Sequence, residues 1–172
     1  IEALAIQIDF EKAFDSVNWA FMYRSLESMG FSEDFIKWVK VLYNNTKSSV
    51  MNNGNLIESF NLYRGVHQGC PLSAFLFIIL AQVLNHMLEK RSDISGIKIG
   101  NKEFKLLQMA DDTTIFTSKK EDVGKIMRLL KAFYKISGLK TNVEKTVAYT
   151  LGPMDPPGSG EQTFGLSWKA LP

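Results

Sequence analysis

No stretch constrains the fold more than Cys70 to Arg91, where Leu72, Phe75, Leu76, Ile79, Leu80, Val83 and Met87 recur at helical spacing and cover much of the circumference. Pro71 suits the first turn of such a helix, where its missing N–H is no loss. A helix apolar on most sides must be central and buried, so the rest of the chain has to cover it from several directions. Its longest unbroken apolar run, Ala74 to Ala81, falls well short of the roughly 20 residues that cross a bilayer, which predicts a core helix and no membrane span. At 172 residues, 45% of them hydrophobic, the chain can supply the cover; a domain of this size typically buries about 70% of its unfolded surface. The single cysteine, Cys70, excludes an internal disulfide and a thiolate metal cage, and fits a reducing compartment.

Around that helix the pattern alternates irregularly. Leu4-Ala5-Ile6-Gln7-Ile8 reads as a buried strand that delivers Asp9 at its C-terminal end. Asn18 caps a predicted helix from Trp19 to about Met29, and Gly30 stops it. Ser32 caps another, with Phe31 stapled onto Ile36 and a predicted buried stripe of Phe35, Val39, Leu42 and Tyr43. Period-two patterning from Ser48 to Tyr63 about Asn52-Asn53-Gly54-Asn55 predicts a β-hairpin. Short strands follow over 94–116, then a helix over 121–137 with a core face at Val123, Ile126, Met127, Leu130 and Phe133. On its other side Lys125, Arg128, Lys131 and Lys135 form a basic stripe. A strand over 143–150, a Pro/Gly/Ser loop over 153–160 and one more strand within Thr163–Trp168 complete the reading. Trp19, Trp38 and Phe133 lie on apolar stripes and read as core. Hairpins mixed with helices indicate α+β rather than a doubly wound parallel sheet. The chain enters a strand directly at Ile1, without a methionine, and reads as a fragment.

The overall charge is nearly balanced, 20 basic against 18 acidic residues, which excludes a polycation and an acidic tail. Function must therefore be sought in local chemistry. Asp9, Asp111 and Asp112 stand at strand ends or turns, and three carboxylates converging in one cleft repel one another unless cations neutralise them. Oxygen-only ligands suit magnesium, and two ions about 3.5 to 4 Å apart serve phosphoryl transfer. Taken alone, the acids also read as a loop cap and a solvated turn. The two histidines, His67 and His86, have no spacing that supports a zinc site.

Four stretches occur in order: Ile8-Asp9-Phe10-Glu11-Lys12-Ala13-Phe14-Asp15, Arg64-Gly65-Val66-His67-Gln68-Gly69-Cys70-Pro71-Leu72-Ser73, Ala110-Asp111-Asp112-Thr113, and Ser137-Gly138-Leu139-Lys140-Thr141-Asn142-Val143-Glu144-Lys145-Thr146. Together they resemble motifs A to D of the reverse transcriptase palm, and are most similar to the non-LTR (LINE-type) retrotransposon enzymes. The resemblance runs from Ile1 to about Thr150. It implies an α+β right-hand polymerase palm over 1–150, a small antiparallel sheet backed by helices with partial fingers. Residues 151–172 would be a loop and the start of a primer-grip or thumb connection.

The resemblance also implies roles. Asp9 and Asp111 would be the principal metal ligands, with Asp112 beside them and the Phe10 carbonyl adding an oxygen. Phe14 falls where the family places an aromatic gate under the sugar, and Gln68 and Gly69 where the incoming nucleotide lies. Lys145 matches the lysine that protonates or neutralises departing pyrophosphate. Asp15 is expected to be structural. The implied activity is RNA-dependent DNA synthesis: dNTPs are added to a primer 3′-hydroxyl by two-metal phosphoryl transfer, with two Mg2+ as cofactor and Mn2+ as a substitute. The partners would be an RNA template, a DNA primer and dNTPs, and the setting intracellular, in cytoplasm and nucleus. The competing reading is a catalytically inactive transposon-derived fragment that retains the palm. Two departures stand out: Met109 where the family shows Phe or Tyr, and Ala74 where many members have Pro.

Overall fold

A computed structural model describes residues 2–156 and 163–170. In chain order the elements are β1 (Ala3–Ile8), α1 (Ala13–Ser16), α2 (Trp19–Ser28), α3 (Glu33–Tyr43), β2 (Lys47–Ser48), β3 (Met51–Asn52), β4 (Asn55–Leu56), β5 (Phe60–Asn61), α4 (Pro71–Glu89), β6 (Ile97–Ile99), β7 (Lys102–Phe104), β8 (Leu106–Met109), β9 (Asp112–Thr117), α5 (Asp122–Ser137), β10 (Val147–Leu151) and β11 (Ser167–Ala170). Five strands form the main sheet in the order β11-β10-β1-β9-β8. All neighbours are antiparallel except β10 and β11, which run parallel. The expected α+β sheet backed by helices is present, with one parallel edge pair added.

β1 is central because both of its faces are apolar. Leu4, Ile6 and Ile8 are buried on one side and Ala3 and Ala5 on the other, leaving Gln7 exposed. Directly opposed residues share a face, so Ile6 meets Ile115 on β9 and Ala148 on β10. The helices α2, α4 and α5 pack against one another, and the core joins Leu26, Leu76, Leu80, Ile126 and Phe133 to this sheet face. Asn18 and Ser32 cap α2 and α3 as expected, each accepting from the N–H three residues on. Gly138 ends α5 in the left-handed conformation, where a side chain would run into the carbonyl oxygen of Ser16. The turn between β3 and β4 is Asn53-Gly54 with both φ positive, the two-residue geometry suited to a tight hairpin.

Several expectations need correction. Helix α4 is not covered all round: Phe75 and Ile78 are 65% and 54% exposed, while Leu76, Phe77, Leu80, Ala81, Leu84 and Leu88 are buried. By length and composition alone its 19 residues are also enough to cross a membrane. The estimate from Ala74–Ala81 missed this because Gln82, Asn85 and His86 interrupt the run without adding an acid, lysine or arginine before Glu89. On α3 the buried stripe is Ile36, Val39 and Tyr43, whereas Leu42 and Trp38 are exposed. The helix is apolar on two flanks, and only one of them meets the core. The strand expected from 143 starts at Val147, because residues 142–146 turn back on Asp9. The loop expected over 153–160 lies partly outside the described residues, and the last strand is Ser167–Ala170.

Lys125 does not belong to a free basic stripe. It bonds Asp122 Oδ1 at 2.5 Å, and Asp122 also accepts from Ser95 N and Thr117 Oγ1 at 2.8 and 3.3 Å. Asp122 is almost fully buried. Burial works to raise its carboxyl pKa, but the Lys125 ammonium and the two donors outweigh it and hold the group below the usual carboxylate value. The contribution of this ion to stability is therefore present above about pH 4 and lost as pH falls through the depressed folded value. Asp122→Asn is expected to cost about 2 kcal/mol at neutral pH. Urea unfolding of both proteins should show the gap closing in acid; a gap independent of pH would contradict the charged assignment.

Candidate active site

The register of the sheet sets where the acids meet. β1 pairs Ile8 with Thr113, so one further step brings Asp9 to the same end as Asp112, the first residue of β9. β8 and β9 close through Ala110-Asp111 after the pair Met109↔Asp112. Ala110 has φ 56, a left-handed conformation that is uncommon for alanine, and it gives the hairpin its sharp reversal. The chain does turn at Asp111, which adjacent acids need if they are to serve one site. Asp9 is half-buried, and Asp111 and Asp112 are exposed.

Among the described residues none of the three carboxylates has a hydrogen-bond or ion-pair partner, and no three acidic, histidine or cysteine side chains stand close enough to form a ready metal site. Two findings thus stand together. The backbone gathers the acids at one sheet end, and their side chains have not closed into a ligand shell. The donor set is oxygen-only and like-charged, which fits a hard divalent cation.

Asp9 is braced through its backbone. Its N–H donates to Thr146 Oγ1 at 3.3 Å, and its carbonyl accepts from Asn142 N at 2.8 Å. Thr146 is fully buried, and its hydroxyl donates a hydrogen bond to Asn142 O at 2.7 Å. Phe10 bridges to Thr141, Glu11 N donates to Lys140 O at 2.9 Å, and the Lys140 ammonium bonds both Glu11 oxygens at 2.9 and 3.0 Å. The Glu11 carboxylate raises the Lys140 pKa. The segment carrying Lys145 is therefore fastened to the segment carrying Asp9. Lys145 itself is exposed, its backbone N–H donating to Asn142 Oδ1 at 3.3 Å.

The next turn of the Asp9 segment is held from the other side. Gly65 N donates to Val17 O at 2.8 Å and Val66 N to Phe14 O at 2.7 Å. Gly65 has φ 92, and a Cβ there would stand 2.8 Å from Asp15 O, so only glycine allows this approach. Trp19 Nε1 donates to Gly65 O at 2.7 Å. This delivers Gln68 and Gly69 beside Phe14. A cavity of about 470 Å³ is lined by Phe14, Gln68, Gly69, Cys70, Pro71, Ala74 and Asp111. Cys70 stands at the N-terminus of α4, where the N–H groups of Ser73 and Leu72 lower its thiol pKa. A larger cavity of about 690 Å³ lies on the other side of Gln68, between Lys12, Arg64, His67 and the β2 and β5 pair.

Of the residues singled out from sequence, the structure brings Phe14, Gln68, Gly69 and Asp111 to one cavity. Asp9 and Asp112 lie at the adjoining sheet end, and Phe10 and Lys145 belong to the braced segments beside them. The sequence reading missed Asn142, Thr146 and Gly65 as braces. All three lie inside the stretches that carry the resemblance, but Asn142 and Thr146 stand more than 130 positions from Asp9, so no local pattern shows that they hold it.

The comparisons with known proteins bear on this geometry. The family model described as "Reverse transcriptase (RNA-dependent DNA polymerase)" matches residues 2–165. The "Retrovirus-related Pol polyprotein from type-2 retrotransposable element R2DM" of Drosophila melanogaster is 32% identical over 145 residues. That match covers 84% of this chain and 13% of the relative. The "Transposon TX1 uncharacterized 149 kDa protein" of Xenopus laevis is 26% identical, over 82% of this chain and 11% of that protein. Among solved structures, apo telomerase from Candida tropicalis, truncated from its C-terminal domain, superposes with a TM-score of 0.67 at 20% identity. It covers 91% of this chain and 32% of the other, and at that identity it speaks to the fold alone.

Proposed function

The chain belongs to the reverse transcriptase family, alongside the polyproteins of non-LTR retrotransposons, and from that premise we propose that it carries the catalytic palm of an RNA-dependent DNA polymerase. The observation that carries the reading is the sheet register, which brings Asp9, Asp111 and Asp112 to one end of adjacent strands, with no partner for any of the three carboxylates among the described residues. Those three residues, with the Phe10 carbonyl, would hold two divalent cations, Mg2+ or Mn2+. When bound, the cations supply charge neutralisation at the attacking and leaving oxygens.

The chain's own groups do the rest. The primer 3′-hydroxyl attacks the α-phosphate of a dNTP, and pyrophosphate departs. Gln68 and Gly69 lie against the incoming nucleotide, where the absence of a side chain at Gly69 lets backbone approach ligand. The Phe14 ring fills the space a ribose 2′-hydroxyl would need. Lys145 donates a proton to the departing pyrophosphate or offsets its charge. The braces from Asn142, Thr146, Gly65 and Val66 keep Asp9 and Phe14 in fixed relation, which is how a site holds reacting groups without reorganisation.

A second reading is favoured by one observation: the side chains are not gathered into a three-ligand cluster. On it the palm is retained and turnover is absent. Primer extension separates the two. An RNA template, a DNA primer, dNTPs and Mg2+ are given to this chain and to the same chain extended at both ends by the flanks of a longer relative. The extended chain is expected to lengthen the primer, and a chelator to stop it. A folded extended chain that leaves the primer unchanged would establish the silent reading.

A further inference from the structure

Phe14 belongs to α1, a helix of only four residues entered through Lys12 at φ 47. Its main chain is fixed by Val66 N on Phe14 O, but so short a helix imposes little on the ring. The ring packs against the core with its face on α4. Phe77, on α4, stacks on it with centroids 4.7 Å apart and planes inclined by 10°. Parallel displaced rings at this separation attract one another more than a face-to-face sandwich would.

The two partners differ in freedom. Phe77 is 1% exposed, flanked on α4 by the buried Leu76 and one turn on by the buried Leu80, so its ring cannot yield. Phe14 is half-buried and also borders the cavity of Gln68, Gly69 and Asp111. One ring is an anchor and the other a movable wall resting on it.

We infer that Phe77 is a specificity-determining positioning residue: by backing the Phe14 ring it sets the clearance at the sugar subsite, and so the preference for deoxynucleotides over ribonucleotides. The inference rests on the assignment of Phe14 as the wall beneath the sugar. Phe77 touches no substrate and acts only through Phe14. A smaller, flexible side chain at 77 lets the Phe14 ring sink toward α4 and admits the 2′-hydroxyl.

Cys70 is the single cysteine and lines the same cavity, so nucleotide occupancy can be read as protection of its thiol from alkylation. This chain is incubated with a primer–template duplex, Mg2+ and either dATP or ATP, and the concentration giving half-protection is measured for each. The unaltered protein is expected to be protected by dATP at far lower concentration than by ATP. Phe77→Leu, with Phe77→Met as a second variant should the first melt, is expected to shrink that ratio by about tenfold, on the scale of one steric contact. Phe77→Leu added to Phe14→Ala is expected to change the ratio no further, since residues acting through one another are non-additive. A merely structural role would weaken both nucleotides together and leave the ratio in place; that result, in a folded variant, overturns the inference and spares the site. No protection by dATP in the unaltered chain overturns the nucleotide site and this inference with it.

Discussion

Asp9→Asn is expected to abolish primer extension by the extended chain, lowering the rate of dNTP incorporation by about 10³-fold or more, equivalent to ~4 kcal/mol of transition-state stabilisation. The substitution removes one negative charge and half of the ligand capacity from the residue at the end of β1, and almost nothing else. Among the described residues the Asp9 side chain has no partner, and the bonds that hold the residue run through its backbone to Thr146 and Asn142. Stability should accordingly move by no more than about 0.5 kcal/mol, the range of surface substitutions. Asp15→Asn is the matched control. It alters an acid six positions away that lines the other cavity, and incorporation should stay within a few-fold of the unaltered protein. Measuring single-turnover incorporation and urea unfolding on the same preparations separates chemistry from folding. Full activity in Asp9→Asn would remove the metal assignment, and equal losses at Asp9 and Asp15 would show that the effect is not one of ligation.

The second large effect concerns the sugar. Phe14→Ala is expected to reduce discrimination against ribonucleotides by roughly 10- to 200-fold, the span that one steric contact supports. The loss should come mainly from better use of rNTPs and less from poorer use of dNTPs, because the ring excludes one substrate and makes no bond to the other. Removing it also leaves Phe77 without its stacked neighbour, so the variant should lose about 2 kcal/mol of stability, less than a fully buried aromatic truncated to alanine because Phe14 is half-buried. The kinetic ratio kcat/KM for dATP over ATP is the measurement that counts, since partial unfolding lowers both values together. An unchanged ratio would refute the gate.

How much of this was legible in the sequence depends on whether the signal was local. The turn at Asn53-Gly54, the caps Asn18 and Ser32 and the stop at Gly138 are written in adjacent residues, and each formed where expected. The acids at 9, 111 and 112 were legible through the stretches that surround them. The facing of α3 was not. With Trp38, Val41 and Leu42 on one flank and Ile36, Val39 and Tyr43 on another, periodicity offers two apolar faces, and only tertiary packing selects between them. The start of β10 was misplaced for a related reason. Val143 and Thr146 are β-branched and run directly into the strand residues after them, but Asn142 and Thr146 are taken by the backbone of Asp9. The stack of Phe14 on Phe77 is likewise invisible along the chain, because it joins a four-residue helix to one that begins more than fifty positions later.

The position of β1 between β9 and β10 has a consequence for biosynthesis. β1 leaves the ribosome well before the two strands it pairs with, which end at Thr117 and Leu151. At ordinary elongation rates it waits on the order of ten seconds, apolar on both faces and unpaired. A nascent chain of this kind is exposed to mispairing and to capture by chaperones over that whole interval, and its yield in a cell should respond to translation speed between those two points more than to speed before them.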